Sequence, residues 1–219
     1  VNQMESQRKD MVLRQLEGRG IRDERVLAAM RKVPRHIFVP AAQQAASYND
    51  GPLPIGHGQT ISQPYIVALM CELLELSREN KVLEIGAGCG YAAAVLAELA
   101  HEVITIERMP ELAELARKNL LKAGYPDVRV ICADGSLGCP DEAPFDAIVV
   151  AAGAPATPDA LKQQLKTGGR LVIPVGSNSR SQELLRIRRL SDTDYDTEPQ
   201  GEVAFVPLVG AEGWPDESY

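Results

Sequence analysis

Much of what this sequence lacks narrows the reading. It holds no C-x-x-C pair, and Cys71, Cys89, Cys132 and Cys139 form no zinc-spaced cluster with His36, His57 or His101. We therefore expect no metal site, and four reduced thiols as in a cytoplasmic protein. There is no apolar run of about 18 residues, so no membrane-spanning helix is expected. The polar, charged first residues do not read as a secretory signal. Positive charge is not in excess. The net charge is −7, and a nucleic-acid partner, which calls for a basic face, is not expected. No internal repeat is visible, and the one biased segment is the acidic stretch 191–198.

What is present is ordinary for a soluble protein: 219 residues, 45% of them hydrophobic and 24% charged, enough for one domain with its own core. Residues 1–18 have helical spacing, with Gly18 and Gly20 to end the helix. Asp23 can cap a second helix bearing Val26, Leu27 and Met30 on one side, and Pro34 stops it. Residues 48–64 hold so much glycine and proline that we expect an irregular loop, and a loop of that composition usually has work to do. Ser62 stands where a helix N-cap belongs, with Pro64 in the first turn.

From Lys81 the chain alternates. Strands are expected at 82–85, 103–107, 128–132, 145–150 and 169–174, and helices at 91–100, 110–123 and 159–165. That order means a parallel sheet covered on both faces. Two final strands, 184–190 and 203–206, lack a crossover helix and must pair antiparallel. The expected fold is α/β: a Rossmann-like doubly wound sheet, mostly parallel, ending antiparallel, with an N-terminal helical extension. We divide the single domain into residues 1–76 (helices and loop) and 77–219 (the α/β core).

Gly86, Gly88 and Gly90 follow the first strand with G-x-G-x-G spacing. The dinucleotide fingerprint would want its third glycine at Tyr91. Such a turn lets a ligand approach the backbone closely, and the shortened spacing favours a cofactor without a pyrophosphate, such as S-adenosylmethionine. Glu107 ends the second strand and can accept from both ribose hydroxyls. Asp134, Gly135 and Ser136 follow the third strand, where a carboxylate can accept from an adenine amino group. Glu84, just before the turn, suits a cationic amino group.

The stretch Gly51–Tyr65, with Gln59-Thr60-Ile61-Ser62-Gln63-Pro64 at its end, resembles the signature loop of protein-L-isoaspartate O-methyltransferases. So do Val82–Gly86, Thr105–Arg108, Asp134-Gly135, Ala143–Asp146, Gly168–Gly176 and Phe205–Leu208. The resemblance implies a class I methyltransferase fold, S-adenosylmethionine as donor and S-adenosylhomocysteine as product. It implies a protein carboxyl O-methyltransferase acting on the free α-carboxyl of L-isoaspartyl residues in damaged proteins and peptides. The methyl ester would then close to succinimide without the enzyme. A cytoplasmic monomer is expected.

On this reading the cofactor lies against Glu84, Gly86, Ala87, Gly88, Gly90, Glu107, Arg108, Asp134, Gly135 and Ser136, with Thr60 and Ile61 on the wall. Substrate meets Gln59, Thr60, Ile61, Ser62, Ala152, Gly153, Val206, Pro207 and Leu208. Ser62 is the expected catalytic residue, because the family places a serine there. An α-carboxyl has a reference pKa of about 3.5 and is already ionised, so no general base is needed and His57 is not expected to act as one. Val209, where relatives carry a polar residue, would contact cofactor through its backbone. Two alternatives stay open at this point: a methyltransferase of this fold with another acceptor, and an S-adenosylmethionine-binding protein without catalysis.

Overall fold

The computed structural model describes residues 3–178 and 181–216. Positions 1 and 2 of the helix expected over 1–18 lie outside them. The chain opens with α1 (Gln3–Met11), which continues as a π turn to Leu16 and a 3-10 turn to Arg19. Gly20, at φ +102°, ends it. Next is α2 (Glu24–Lys32), capped as expected: the Asp23 carboxylate accepts from the Arg25 N–H at 2.8 Å.

The stretch expected to be irregular contains an antiparallel hairpin, β1 (Leu53–Gly56) and β2 (Gln59–Ile61). Its glycines supply the reversal: Gly56, His57 and Gly58 have φ of +95°, +53° and +69°. Composition that reads as loop is here the turn of a hairpin. Then α3 runs Pro64–Leu74. The expected cap is corrected here: the N-cap is Gln63, and no side chain caps this helix. Pro64 at the first helical position has no N–H to satisfy, which reduces the need for one.

The remaining elements are β3 (Lys81–Ile85), α4 (Tyr91–Ala97), β4 (Glu102–Glu107), α5 (Pro110–Ala123), β5 (Arg129–Cys132), β6 (Phe145–Val150), α6 (Asp159–Gln163), β7 (Leu165–Asn178), β8 (Ser181–Arg189) and β9 (Tyr195–Val203). The order across the sheet is β5-β4-β3-β6-β7-β8-β9. The first five in sequence, β3 to β7, are parallel; β8 and β9 are antiparallel to their neighbours. The expected last strand, 203–206, is misplaced. The second half of the acidic stretch opens β9, an edge strand whose charges face solvent and the basic residues of β8, as in the register pairs Arg186↔Glu198 and Arg188↔Asp196. Charge on an edge discourages pairing with other chains. The strand expected at 169–174 starts earlier, so Leu165 belongs to β7 and α6 stops at Gln163.

Strand alternation divides the core in two. Val82, Val103, Ala147, Val149 and Val172 pack with α1 to α5. Their neighbours Leu83, Ile85, Ile104, Ile106, Ile148 and Val150 pack on the other face, with Leu161 of α6 and Leu208. Both faces of the parallel strands are thus covered, which is why they read as continuous apolar runs. Truncating Leu83, fully buried, to Ala would cost about 2–5 kcal/mol. No helix among the described residues is long and apolar enough to cross a membrane.

Candidate active site

The carboxyl ends of β3, β4 and β6 open onto one cavity, where the chain leaves β3 for neighbours on opposite sides. Open α/β sheets accommodate ligands at this point. Its floor is the turn after β3. Gly86, Gly88 and Gly90 have φ of +91°, +52° and +91°, a backbone path that side chains resist. A Cβ on Gly90 would also lie 3.1 Å from Leu120 of α5, so this glycine lets the two helices close up.

Two acids meet at this floor. Glu107 accepts from the Gly88 N–H at 2.9 Å with Oε2 and from the Met109 N–H at 3.0 Å with Oε1. About two of its four lone-pair sites remain. Glu84 is 1% exposed. Its Oε2 accepts from the Thr105 hydroxyl at 2.5 Å, and no cation pairs with it among the described residues. Burial pushes its pKa up to about 8, against the Thr105 hydrogen bond and with support from the charge of Glu107.

The hairpin forms the facing wall. Gln59, Thr60 and Ile61 of β2 and then Ser62 line the cavity. Ile55 of β1 seats the hairpin on the glycine turn: a Cβ on Gly88 would lie 3.3 Å from Ile55 Cδ1. Ser62 caps nothing, and its hydroxyl has no protein partner among the described residues. Ala151 and Ala152 after β6, and Val206 to Val209 near the C-terminus, close the third side.

Of the expected site residues, Gly90, Asp134, Ser136 and Gly153 do not line this cavity, whereas Ala87, Arg108 and Gly135 do. Gly153 spends its N–H on Val206 O at 2.7 Å, and its carbonyl accepts from Leu208 N–H at 2.8 Å. Asp134 and Ser136 bond to each other and to residues 211 and 212. His57 sits exposed at the hairpin tip, outside the cavity.

Val67, Cys89, Tyr91, Ala92 and Met109 line the cavity and were not anticipated. Cys89 and Tyr91 could have been read from their places beside Gly90; Val67 comes from α3 and carried no signal. Tyr91, which breaks the dinucleotide spacing, packs its ring 5.7 Å from Phe38 and beneath the Arg35 guanidinium at 4.9 Å. It ties the N-terminal helices to the turn. Burial pushes the Cys89 thiol up to about 11, so it stays neutral. No group of three His, Cys, Asp or Glu among the described residues is placed to hold a metal.

Residues 6–213 match the family described as Protein-L-isoaspartate(D-aspartate) O-methyltransferase (PCMT). The chain belongs to this family. Protein-L-isoaspartate O-methyltransferase 2 of Marinobacter nauticus is 62% identical over 208 residues, 95% of each chain. Protein-L-isoaspartate O-methyltransferase of Rhodopseudomonas palustris is 57% identical over 204 residues, 93% of this chain and 94% of its own. A solved protein-L-isoaspartate O-methyltransferase superposes with TM-score 0.85 at 29% identity, over 94% of this chain and 67% of that one. A family structure from Plasmodium falciparum, in complex with S-adenosyl-L-homocysteine, gives TM-score 0.81 at 26% identity, over 92% of this chain and 98% of that one.

Proposed function

We infer that this protein is an S-adenosylmethionine-dependent protein-L-isoaspartate O-methyltransferase. It moves a methyl group onto the free α-carboxyl of L-isoaspartyl residues in damaged proteins and peptides. One observation carries the reading beyond family membership: a single cavity is lined by a buried carboxyl group with no cation and by a hydroxyl with no partner among the described residues.

The residues present fit the cofactor. Glu84 would take its ammonium group, and a buried acid lacking a counter-charge is what such a group satisfies. Glu107 would accept from the ribose hydroxyls with its remaining lone pairs. Gly86 and Gly88, both at positive φ, would let the cofactor lie close along the backbone of the turn. When bound, S-adenosylmethionine supplies a methyl carbon made electrophilic by its sulfonium.

The protein's own work is placement. The acceptor carboxylate arrives ionised, so no residue has to remove a proton. Ser62 would donate its hydroxyl to that carboxylate and so hold the acceptor in place for the transfer. A neutral donor orients the anion without lowering its nucleophilicity as much as a cation would. Ala151, Ala152 and Val206 to Leu208 offer backbone to a substrate whose neighbouring side chains vary. Ile61 and Val67, both buried, give the cavity wall an apolar lining. We read the chain as one domain divided at about residue 76, acting as a cytoplasmic monomer without nucleic acid.

The decisive experiment compares labelled-methyl incorporation into an isoaspartyl peptide and its normal aspartyl twin. Transfer to the first alone is expected; no transfer to it sinks the proposal. Ser62→Ala is expected to lower kcat on that peptide about a hundredfold while leaving S-adenosylhomocysteine affinity within about twofold. A variant that loses affinity and keeps kcat would show Ser62 to be a cofactor ligand.

A further inference from the structure

We propose that Thr105 is a positioning residue for the cofactor's ammonium group: it fixes Glu84 by one carboxyl oxygen and leaves the other to the cavity. This rests on the function just proposed and deepens it, since Glu84 alone does not explain how a buried acid is aimed. Glu84 and Thr105 are register partners on the parallel strands β3 and β4. Their row across the sheet reads Val149, Glu84, Thr105, Val130. Two polar side chains thus stand side by side between two valines, on the face packed against α1 to α5. Thr105 is fully buried. A valine would fill the same space and suits a strand as well. What threonine adds is a hydroxyl, and a buried hydroxyl is costly unless it is hydrogen-bonded. Its one partner among the described residues is Glu84 Oε2, to which it donates at 2.5 Å.

That bond leaves Glu84 Oε1 without a partner among the described residues, and Glu84 lines the cavity. The ionisable groups around it supply no counter-charge. Glu107, two residues past Thr105 on the same face of β4, opposes its ionisation. Burial holds the thiols of Cys71 in α3 and Cys89 in the glycine turn neutral, with a smaller push from Glu84. Burial also keeps the Tyr91 hydroxyl neutral. Arg35 lies behind the Tyr91 ring and outside the cavity. Arg108, the one basic residue lining the cavity among those described, pairs with Asp216 at 3.1 Å. The Thr105 hydroxyl is therefore the group of the protein that favours the carboxylate over the acid. It sets both the direction of the carboxyl group and how readily that group gives up its proton to meet a cation.

The test titrates two ligands into the full chain by calorimetry. One is S-adenosylhomocysteine; the other is methylthioadenosine, which keeps the nucleoside and the thioether but lacks the amino-acid end. At about pH 7, Thr105→Val should weaken S-adenosylhomocysteine about tenfold, the loss of one hydrogen bond to a charged group, and leave methylthioadenosine within about twofold. Thr105→Ser keeps the hydroxyl and gives up the methyl, so it should bind both ligands within about threefold of wild type. A merely structural threonine gives the reverse order, because valine preserves its shape and strand preference and serine does not. In wild type, affinity for S-adenosylhomocysteine should rise from about pH 6 to about pH 8 as Glu84 becomes easier to ionise. In Thr105→Val, which lacks the donor, that rise should move to higher pH. The ligand's own titration is common to both proteins and drops out of the comparison. Equal losses for the two ligands, serine weaker than valine, or superimposable pH profiles would overturn the proposal. If Thr105→Val does not fold, Thr105→Ala, which also lacks the hydroxyl, is read against the same outcomes. Wild-type protein that binds S-adenosylhomocysteine and methylates no isoaspartyl peptide would overturn the functional reading, not the role of Thr105.

Discussion

Two neighbouring strands end in acids whose partners differ. At the centre of the site, Glu107 of β4, the second strand from the edge, bonds to Gly88 and Met109, 19 and 2 residues away. At the edge, Asp134 after β5 bonds to Ala211, 77 residues on, and its companion Ser136 to Glu212, 76 residues on. The centre makes its hydrogen bonds within its own motif, and its acid lines the cavity with lone pairs unused. The edge uses them to hold another segment. β4 is buried along nearly its whole length and β5 is half open to solvent. An edge strand has only one neighbour, so its turn is free to recruit a wall.

The largest expected effect falls at the centre. Glu107→Ala removes a charged acceptor facing the cavity and orphans the Gly88 and Met109 amides. S-adenosylhomocysteine affinity should fall about a hundredfold, within the range for hydrogen bonds to charged groups. Turnover at saturating cofactor should fall far less, because Ser62 and its wall are untouched. Calorimetry beside steady-state kinetics checks both. An affinity unchanged in the variant would erase the contrast between the two acids.

The same contrast explains what could be read in advance. The glycine turn, Glu107 and α5 were legible because their reasons are local: alternate glycines, an acid at a strand end, an apolar stripe begun by proline. Ser62 was recognised by resemblance, yet its expected cap was wrong, since nothing in Ser62-Gln63-Pro64 says which residue the helix starts after. The hairpin was hidden by composition, because the glycines that bend it also look like loop. β9 was hidden by charges that suit an edge strand only once β8 lies beside it. The contact of Asp134 with the C-terminal segment was illegible for a stronger reason: its partner is 77 residues distant, and Gly210 gains meaning only when packed against it.

The next effect is a pH dependence. Glu84 has a pKa near 4.5 unfolded and is pushed up to about 8 by burial. Between those values the folded chain holds a proton that the unfolded chain has released. Stability is therefore fullest below about 4.5 and falls as pH rises through about 8. Glu84→Gln should flatten that part of the curve for cofactor-free protein, seen as a smaller fall in Tm from about pH 5 to about pH 8. An ammonium group beside Glu84 favours the ionised acid, so cofactor binding near neutral pH should release a proton in wild type. Calorimetry in buffers of different ionisation enthalpy measures this release, and the glutamine variant should lose it. Parallel Tm curves for the two proteins would mean that Glu84 is not the buried acid responsible.

The smallest effect separates the thiols of centre and edge. Cys89, in the turn after β3, and Cys71 are 3% and 4% exposed, and burial pushes both thiols well up. Cys132 ends β5, is exposed, and has only a weak contact to Arg108 O at 3.9 Å. A thiol reagent acts on accessible thiolate, so native protein should label at Cys132 first, at half-buried Cys139 more slowly, and at Cys71 and Cys89 only on unfolding. Cys132→Ser should remove the fast phase. It should leave S-adenosylhomocysteine affinity within about twofold, as surface substitutions usually change free energies by under about 0.5 kcal/mol. Fast labelling at Cys89 would mean that the floor opens to solvent in the free protein. Weak binding by Cys132→Ser would mean that the thiol at the edge bears on the ligand as well.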